Sequence, residues 1–329
     1  MPEIYSLHRL TLAAADEHLF AALSVAIPGL TRHQARLAIK GGLVKVDGVT
    51  IQEPKHQLGP SAKVLCDLRQ GIQAAYHARV HGAAPPQEKP FVIVHQDSHL
   101  VIVDKAVGIV SAPAHQPGQL APERGHVPEL LRRVFRKRGQ DIRFIGIVHR
   151  LDKETSGCLC FALTKEAQRL MAAQFATHAA GRVYRCFTMR TPKRREDTIR
   201  GALTRDDDGR RVMVQDEEAG KEMITHFRVL RSFKGKDGRD LGAELEVRLE
   251  TGRTHQIRVT LGGIGCPIYG DTVYAHRAMF APGAPPPPTA PRMMLHAHTL
   301  SFDHPATGKR VEVEAPIPAA FTEFAQRLT

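Results

Sequence analysis

The residue types best suited to chemistry fall in two short patches. The first is His149-Arg150-Leu151-Asp152-Lys153-Glu154-Thr155-Ser156-Gly157, which follows an apolar strand-like stretch and ends in a glycine-containing turn. Loops of that kind are where a rigid scaffold presents reactive side chains. Asp152 stands between Arg150 and Lys153, and neighbouring cations favour the ionised carboxylate that a nucleophile or general base requires. A loop salt bridge with an Asx-type turn explains the same residues, and on type and spacing alone that structural reading is favoured. The second patch runs from Thr251 through Gly252-Arg253-Thr254-His255-Gln256-Ile257 to Arg258 and reads as a strand entering a helix. Arg253, His255 and Arg258 put polar donors where a core would avoid them. A buried guanidinium needs an acceptor, and one carboxylate from elsewhere would supply it. The expected pairing is therefore Asp152 with either Arg258 or Arg253.

Other chemistries find little support. There is no Walker loop, no GxGxxG opening a helix after a strand, and no HExxH. His296-Ala297-His298 is the nearest thing to a metal pair, but no third ligand stands at a familiar spacing, so no metal is expected. Cys158 and Cys160 alternate in an apolar strand, as small buried thiols do. Five cysteines without a CxxC pair suggest reduced thiols and a cytoplasmic setting. No apolar run approaches the roughly 18 residues of a spanning helix. Glu3, Asp16 and Glu17 interrupt any signal-peptide pattern.

Charge is more telling. Forty-six Lys and Arg stand against 34 Asp and Glu, a net of +12. Between Arg132 and Arg195 there are 16 basic and 4 acidic residues, while the remainder holds 30 of each, so this one stretch carries the whole excess. Concentrated Lys and Arg point to a polyanion, nucleic acid above all, since scattered charge would serve solubility better.

These patches need elements to hold them, and 329 residues suggest two domains. Residues 1–70 read as a small α/β module. Leu19, Phe20, Leu23, Ala26 and Ile27 repeat at helical spacing, and Thr31 with Gln34 forms a capping box opening a second helix. Gly41-Gly42 closes that helix, and Asp47-Gly48 makes a two-residue type I′ hairpin between Val44-Lys45-Val46 and Val49-Thr50-Ile51. Lys63 to Leu68 offers a further strand. Residues 71–90, thin in apolar types and containing Pro85-Pro86, read as a linker. From Phe91 short apolar runs separated by polar turns predict a sheet-rich domain over 91–329. Within it a helix begins at Pro128, Phe144 to Val148 is a buried strand candidate, Thr164 caps another helix, and Pro282 with Pro285 to Pro288 marks an extended loop.

Two family resemblances add to this. The run Thr31-Arg32-His33-Gln34-Ala35-Arg36-Leu37-Ala38-Ile39-Lys40-Gly41-Gly42-Leu43-Val44-Lys45-Val46-Asp47-Gly48 resembles the S4 RNA-binding module over residues 18–68. That resemblance implies that Arg32, Arg36 and Lys40 face RNA, although on spacing alone a solvated helix face is favoured. The Asp152 patch resembles the signature of the RluA-type pseudouridine synthases, and the Thr251 to Arg258 patch their second signature. Gly181-Arg182-Val183-Tyr184, Gly220-Lys221-Glu222-Met223-Ile224-Thr225, Ile268-Tyr269-Gly270-Asp271 and Leu295-His296-Ala297 are similar in the same order. One departure is Lys105-Ala106-Val107-Gly108, where the family usually has Lys-Pro-x-Gly.

The second resemblance implies an α+β fold, a sheet-rich and mainly antiparallel mixed-sheet catalytic domain with a central cleft beside the S4 module. It implies isomerisation of uridine in ribosomal or transfer RNA without cofactor or metal. Asp152 would be the catalytic carboxylate, Arg258 its partner, and Tyr184 the residue stacked on the target base. Arg150 would fill the gap left by the flipped uridine, and Arg253 and His255 would contact RNA. Arg132 to Arg138 and Lys193 to Arg195 would hold the RNA backbone. A monomer is the default. The alternatives are a non-catalytic S4-type RNA chaperone, or a methyltransferase, for which no glycine-rich cofactor loop is present.

Overall fold

A computed structural model describes residues 7–12, 18–68, 89–112, 125–206, 211–214, 220–275 and 287–329. The chain divides into two compact units, Met1–Pro86 and Gln87–Thr329. The expected linker lies almost wholly outside the described residues, as do Pro282, Pro285 and Pro286.

In the first unit, strand β1 (Leu7–Leu12) precedes helices α1 (Leu19–Ala26) and α2 (Arg32–Lys40), then β2 (Val44–Val46), β3 (Val49–Thr50) and β4 (Ala62–Asp67). The sheet order is β1-β4-β2-β3, with every pairing antiparallel. The capping box forms: Gln34 N–H donates to Thr31 Oγ1 at 3.2 Å, and Thr31 N–H donates to Gln34 Oε1 at 3.0 Å. Asp47 and Gly48 both take left-handed backbone (φ 48° and 84°), the geometry of a type I′ turn. Leu19, Leu23, Ile27, Ile39, Val44 and Cys66 are fully buried in a core belonging to this unit alone. β1, which sequence reading did not foresee, pairs with β4.

The second unit is built on one large sheet. Its elements run β5 (Phe91–Gln96), β6 (Leu100–Lys105), α3 (Val127–Lys137), β7 (Gly146–Ile147), β8 (Ser156–Ala162), α4 (Lys165–Ala176) and β9 (Gly181–Thr188). They continue with β10 (Glu196–Arg205), β11 (Arg211–Val214), β12 (Lys221–Lys234), β13 (Asp240–Leu249), α5 (Gln256–Gly263), β14 (Leu295–Asp303), β15 (Arg310–Glu314) and α6 (Ala319–Arg327). The order is β11-β10-β12-β13-β9-β14-β8-β6-β5, with β15 on β14 and β7 on β8. All pairings are antiparallel except β14 with β8, which meet only at His296↔Ser156 and Ala297↔Gly157. This is the sheet-rich, mainly antiparallel α+β architecture expected.

Two local readings need correction. Phe144 to Val148 is not a buried strand. Only Gly146 and Ile147 pair, at Ala162 and Phe161 beyond the point where β14 leaves β8, and Ile147 is exposed. Gly157 ends no turn; it already lies within β8. Its φ is +113°, and a Cβ there would sit 2.1 Å from the Ala297 carbonyl oxygen, so the close approach of β8 to β14 requires glycine. The substitution in Lys105-Ala106-Val107-Gly108 has a visible consequence too. Ala106 N–H donates to the Pro90 carbonyl at 3.0 Å, a bond a proline there could not make.

Candidate active site

Asp152 sits in the connection between β7 and β8, which has no ladder of its own, so its backbone groups must find partners elsewhere. They find them in residues 105–111. Leu151 N–H donates to Ser111 Oγ at 3.1 Å, and that hydroxyl donates to the Leu151 carbonyl at 2.6 Å. The Lys153 carbonyl accepts from Gly108 N–H at 2.7 Å and from the fully buried Lys105 ammonium at 3.3 Å. Lys105 also donates to the carbonyls of Ala106 and Ile109, both at 2.9 Å. Burial pushes this amine down to about 7.

Facing Asp152 is the start of α5. Gln256 organises the turn before it. Its Oε1 accepts from Arg253 N–H and Thr251 Oγ1, both at 2.9 Å, and its Nε2 donates to Ile224 O and Thr225 Oγ1, both at 3.0 Å. Two residues further on Arg258 is buried, with NH1 donating to Asp152 Oδ2 at 3.3 Å. Its other two nitrogens donate to Asp271: Nε to Oδ2 at 2.7 Å and NH2 to Oδ1 at 3.0 Å. The open choice between Arg258 and Arg253 thus resolves to Arg258. Arg253 instead donates from Nε to the Glu222 carbonyl at 3.0 Å.

Asp271 is the partner that sequence reasoning missed. One carboxylate was expected for the buried guanidinium, and there are two. Burial alone would raise the Asp271 carboxyl, but the Arg258 guanidinium and the amides of Tyr274 and Val273 hold it below its ordinary value. Arg258 is likewise opposed by burial, yet the two carboxylates keep it firmly charged. Since Asp271 takes the fork of the guanidinium, Asp152 receives a single long contact and keeps 22% of its side chain exposed. The arrangement aims Asp152 without enclosing it.

The remaining expected residues gather around the same cavity, which is lined by Arg150, Asp152, Tyr184, Arg253, His255 and Arg258 among others. Tyr184 lies on β9, and burial raises its hydroxyl to about 12. His255 caps α5 with left-handed backbone (φ 59°), a strained conformation for a residue with a side chain. Its Nε2 is 4.0 Å from Asp152 Oδ1, and its Nδ1 is 2.9 Å from the Tyr274 hydroxyl. Burial, then the Arg258 charge, holds its imidazole below the usual histidine range. Arg150 is exposed. Arg32, Arg36 and Lys40 belong to the other unit. Arg32 and Lys40 are exposed on α2, whereas the Arg36 guanidinium lies 3.9 Å from the Phe20 ring centroid.

The histidines weighed as metal ligands are engaged otherwise. His296 Nδ1 meets Ser156 Oγ at 2.7 Å, and His296 Nε2 and His298 Nδ1 both meet the Ala315 carbonyl. Asp97, His99 and His304 form the one ligand-like cluster among the described residues. There His304 Nδ1 accepts from the Ala306 and Thr307 amides, which leaves Nε2 as the donor to Asp97, 3.1 Å away. Burial pushes the Cys158 thiol up to about 12, in line with a structural role.

This sheet and this pairing of a loop aspartate with a helix arginine define a class. The profile of the family described as RNA pseudouridylate synthase matches residues 99–262, and that of the S4 domain matches residues 19–64. The ribosomal large subunit pseudouridine synthase D of Pseudomonas aeruginosa is 34% identical over 88% of this chain and 85% of its own. That of Zymomonas mobilis is 36% identical over 71% of each chain. Among solved structures, human RNA pseudouridylate synthase domain containing 4 superposes with TM-score 0.54 and 25% identity, over 72% of this chain and 92% of its own. The chain belongs to the RNA pseudouridylate synthase family, and it is an RNA pseudouridine synthase carrying an S4 domain.

Proposed function

We propose that the enzyme isomerises specific uridines of structured ribosomal RNA, with Asp152 as the catalytic carboxylate. The observation that carries this reading is the Asp152–Arg258–Asp271 cluster at a cavity also lined by Tyr184. The reaction breaks the N1–C1′ bond, turns the base and joins C5 to C1′, with the C5 proton leaving and N1 gaining one. No electrons are exchanged and no group is transferred, so the chemistry calls for neither cofactor nor metal. Asp152 serves as nucleophile or base at the ribose, and Arg258 holds it directed. Tyr184 packs against the base. Arg150, exposed at the rim, fills the space left by the flipped nucleotide; unstacking costs a few kcal/mol, and a planar guanidinium offsets part of that. Arg253 and His255 contact the RNA beside it.

Binding is shared between the S4 module (residues 1–70), through Arg32, Arg36 and Lys40, and the catalytic domain (residues 91–329). In the latter, α3 turns Arg132, Arg136 and Lys137 outward, and none of these three makes an ion pair among the described residues. The stacking of like charges at four-residue spacing on α3 works against helix stability, so phosphates are their natural counterions. The enzyme acts as a monomer in the cytoplasm. Ribosomal rather than transfer RNA is favoured by the names of the bacterial relatives. Carbodiimide-dependent primer stops in both RNAs, compared between cells with and without this protein, test the assignment. Stops lost from ribosomal RNA support it; stops lost only from transfer RNA contradict it.

A further inference from the structure

Asp152 is held by its neighbours in the chain, and those are held by residues 105–111. Ser111 is the unusual member of that set. It is 3% exposed, and its one hydroxyl satisfies both backbone groups of Leu151, accepting from the N–H and donating to the carbonyl. Within the sheet neighbouring strands supply such partners; here a side chain substitutes for the missing strand. On the other side of Asp152, Gly108 and Lys105 hold the Lys153 carbonyl. Asp152 itself is tied less tightly. Its carbonyl accepts from Thr155 N–H at 3.0 Å, and its carboxylate has the 3.3 Å contact with Arg258. The direction of the Cα–Cβ bond of Asp152 therefore depends on the two flanking peptides, and Ser111 fixes one of them.

From this geometry we infer that Ser111 is a positioning residue for Asp152: it sets the distance between the carboxylate and the Arg258 guanidinium without touching RNA. The inference rests on the reading of Asp152 as the catalytic carboxylate. A displacement of about 1 Å is enough to reduce turnover by up to roughly a hundredfold. It also weakens the contact with Arg258.

The test uses the full chain and an in vitro transcript of large-subunit ribosomal RNA tritiated at uridine C5, under single-turnover conditions. Ser111→Ala is expected to slow tritium release at saturating RNA about ten- to a hundredfold, with RNA affinity within about twofold of wild type. Ser111→Cys, a weaker donor of similar size, should fall between, and Ser111→Thr, which keeps the hydroxyl, should recover most of the rate. A full rate in Ser111→Ala overturns the inference. So does a slower rate with a matching loss of folded protein and no recovery in Ser111→Thr, which is the signature of a structural role only. Activity surviving in Asp152→Asn, measured alongside, would instead remove the reading on which the inference rests.

Discussion

Replacing Arg258 with methionine separates what that residue does for the fold from what it does for the chemistry. In the native chain the Asp271 side chain is fully buried, and its Oδ2 relies on Arg258 Nε at 2.7 Å. Its Oδ1 also accepts from Val273 N–H at 2.8 Å and Tyr274 N–H at 3.0 Å, so these two amides remain after the substitution. Asp152, 22% exposed, can turn to water; Asp271 cannot. Removing one partner of a buried pair costs about 3–5 kcal/mol, because the other charge is left without compensation. The expected effect of Arg258→Met is therefore a Tm about 10 °C lower for the catalytic unit, at roughly 2–4 °C per kcal/mol for a unit of this size. Adding Asp271→Asn removes the stranded charge while keeping an oxygen for the two amides. The double variant should regain at least half of the lost stability, yet remain as inactive as Arg258→Met. The chain contains no tryptophan, so calorimetry or far-ultraviolet circular dichroism is the suitable assay. A loss below about 1 kcal/mol in Arg258→Met, or a double variant no more stable than the single one, would refute the reasoning.

Three further outcomes follow from surface charge and burial. Changing Arg132, Arg136 and Lys137 together to glutamine should lower the steepness of log Kd against log salt for ribosomal RNA by about 2–3, with turnover at saturating RNA unchanged. An unaltered slope would take α3 out of the RNA path. On α2, Arg32→Glu and Lys40→Glu should each weaken RNA affinity and its salt dependence, whereas Arg36→Ala should also lower the stability of the S4 unit through lost packing on Phe20. Equal effects of all three on affinity alone would show that the Phe20 contact is irrelevant. Burial pulls the His296 imidazole down to about 4. The unfolded chain therefore takes up this proton first, and stability present above pH 6.5 is lost as pH falls from about 6.5 toward 4, by up to about 1.4 kcal/mol per unit. Urea unfolding across that range should show the slope in wild type and a shallower one in His296→Gln; equal slopes would dismiss this histidine as the cause.

Local signals in the chain proved readable where the physics is local. Thr31 with Gln34 and Asp47-Gly48 specify their cap and turn through neighbouring atoms, and both form as expected. The Asp152–Arg258 pair spans 106 positions; residue chemistry offered it only as one of two options, because charge and burial name the need for a partner but not its address, and the family resemblance singled out Arg258. Asp271 was overlooked for a related reason. A guanidinium with five N–H donors has room for a second carboxylate, and counting donors along with charge would have asked for one. Ser111 and Gln256 carried no signal at all. Each looks ordinary in sequence and matters only because a loop without a ladder leaves backbone groups that some side chain must satisfy. Gly157 was read as a turn because spatial crowding against Ala297, 140 positions away, has no trace in adjacent residues.

The central claim is that Asp152 performs the chemistry. Asp152→Asn keeps the size and most of the hydrogen-bonding capacity of the side chain and removes its charge, so a structural turn residue would tolerate it with at most modest loss of stability. Tritium release from ribosomal RNA labelled at uridine C5 reads the reaction directly, since that proton leaves only when C5 joins C1′. The expected result is no detectable release from Asp152→Asn, with RNA affinity within a few-fold of wild type. Release at a rate near that of wild type would contradict the account, whatever the likeness of the chain to its relatives.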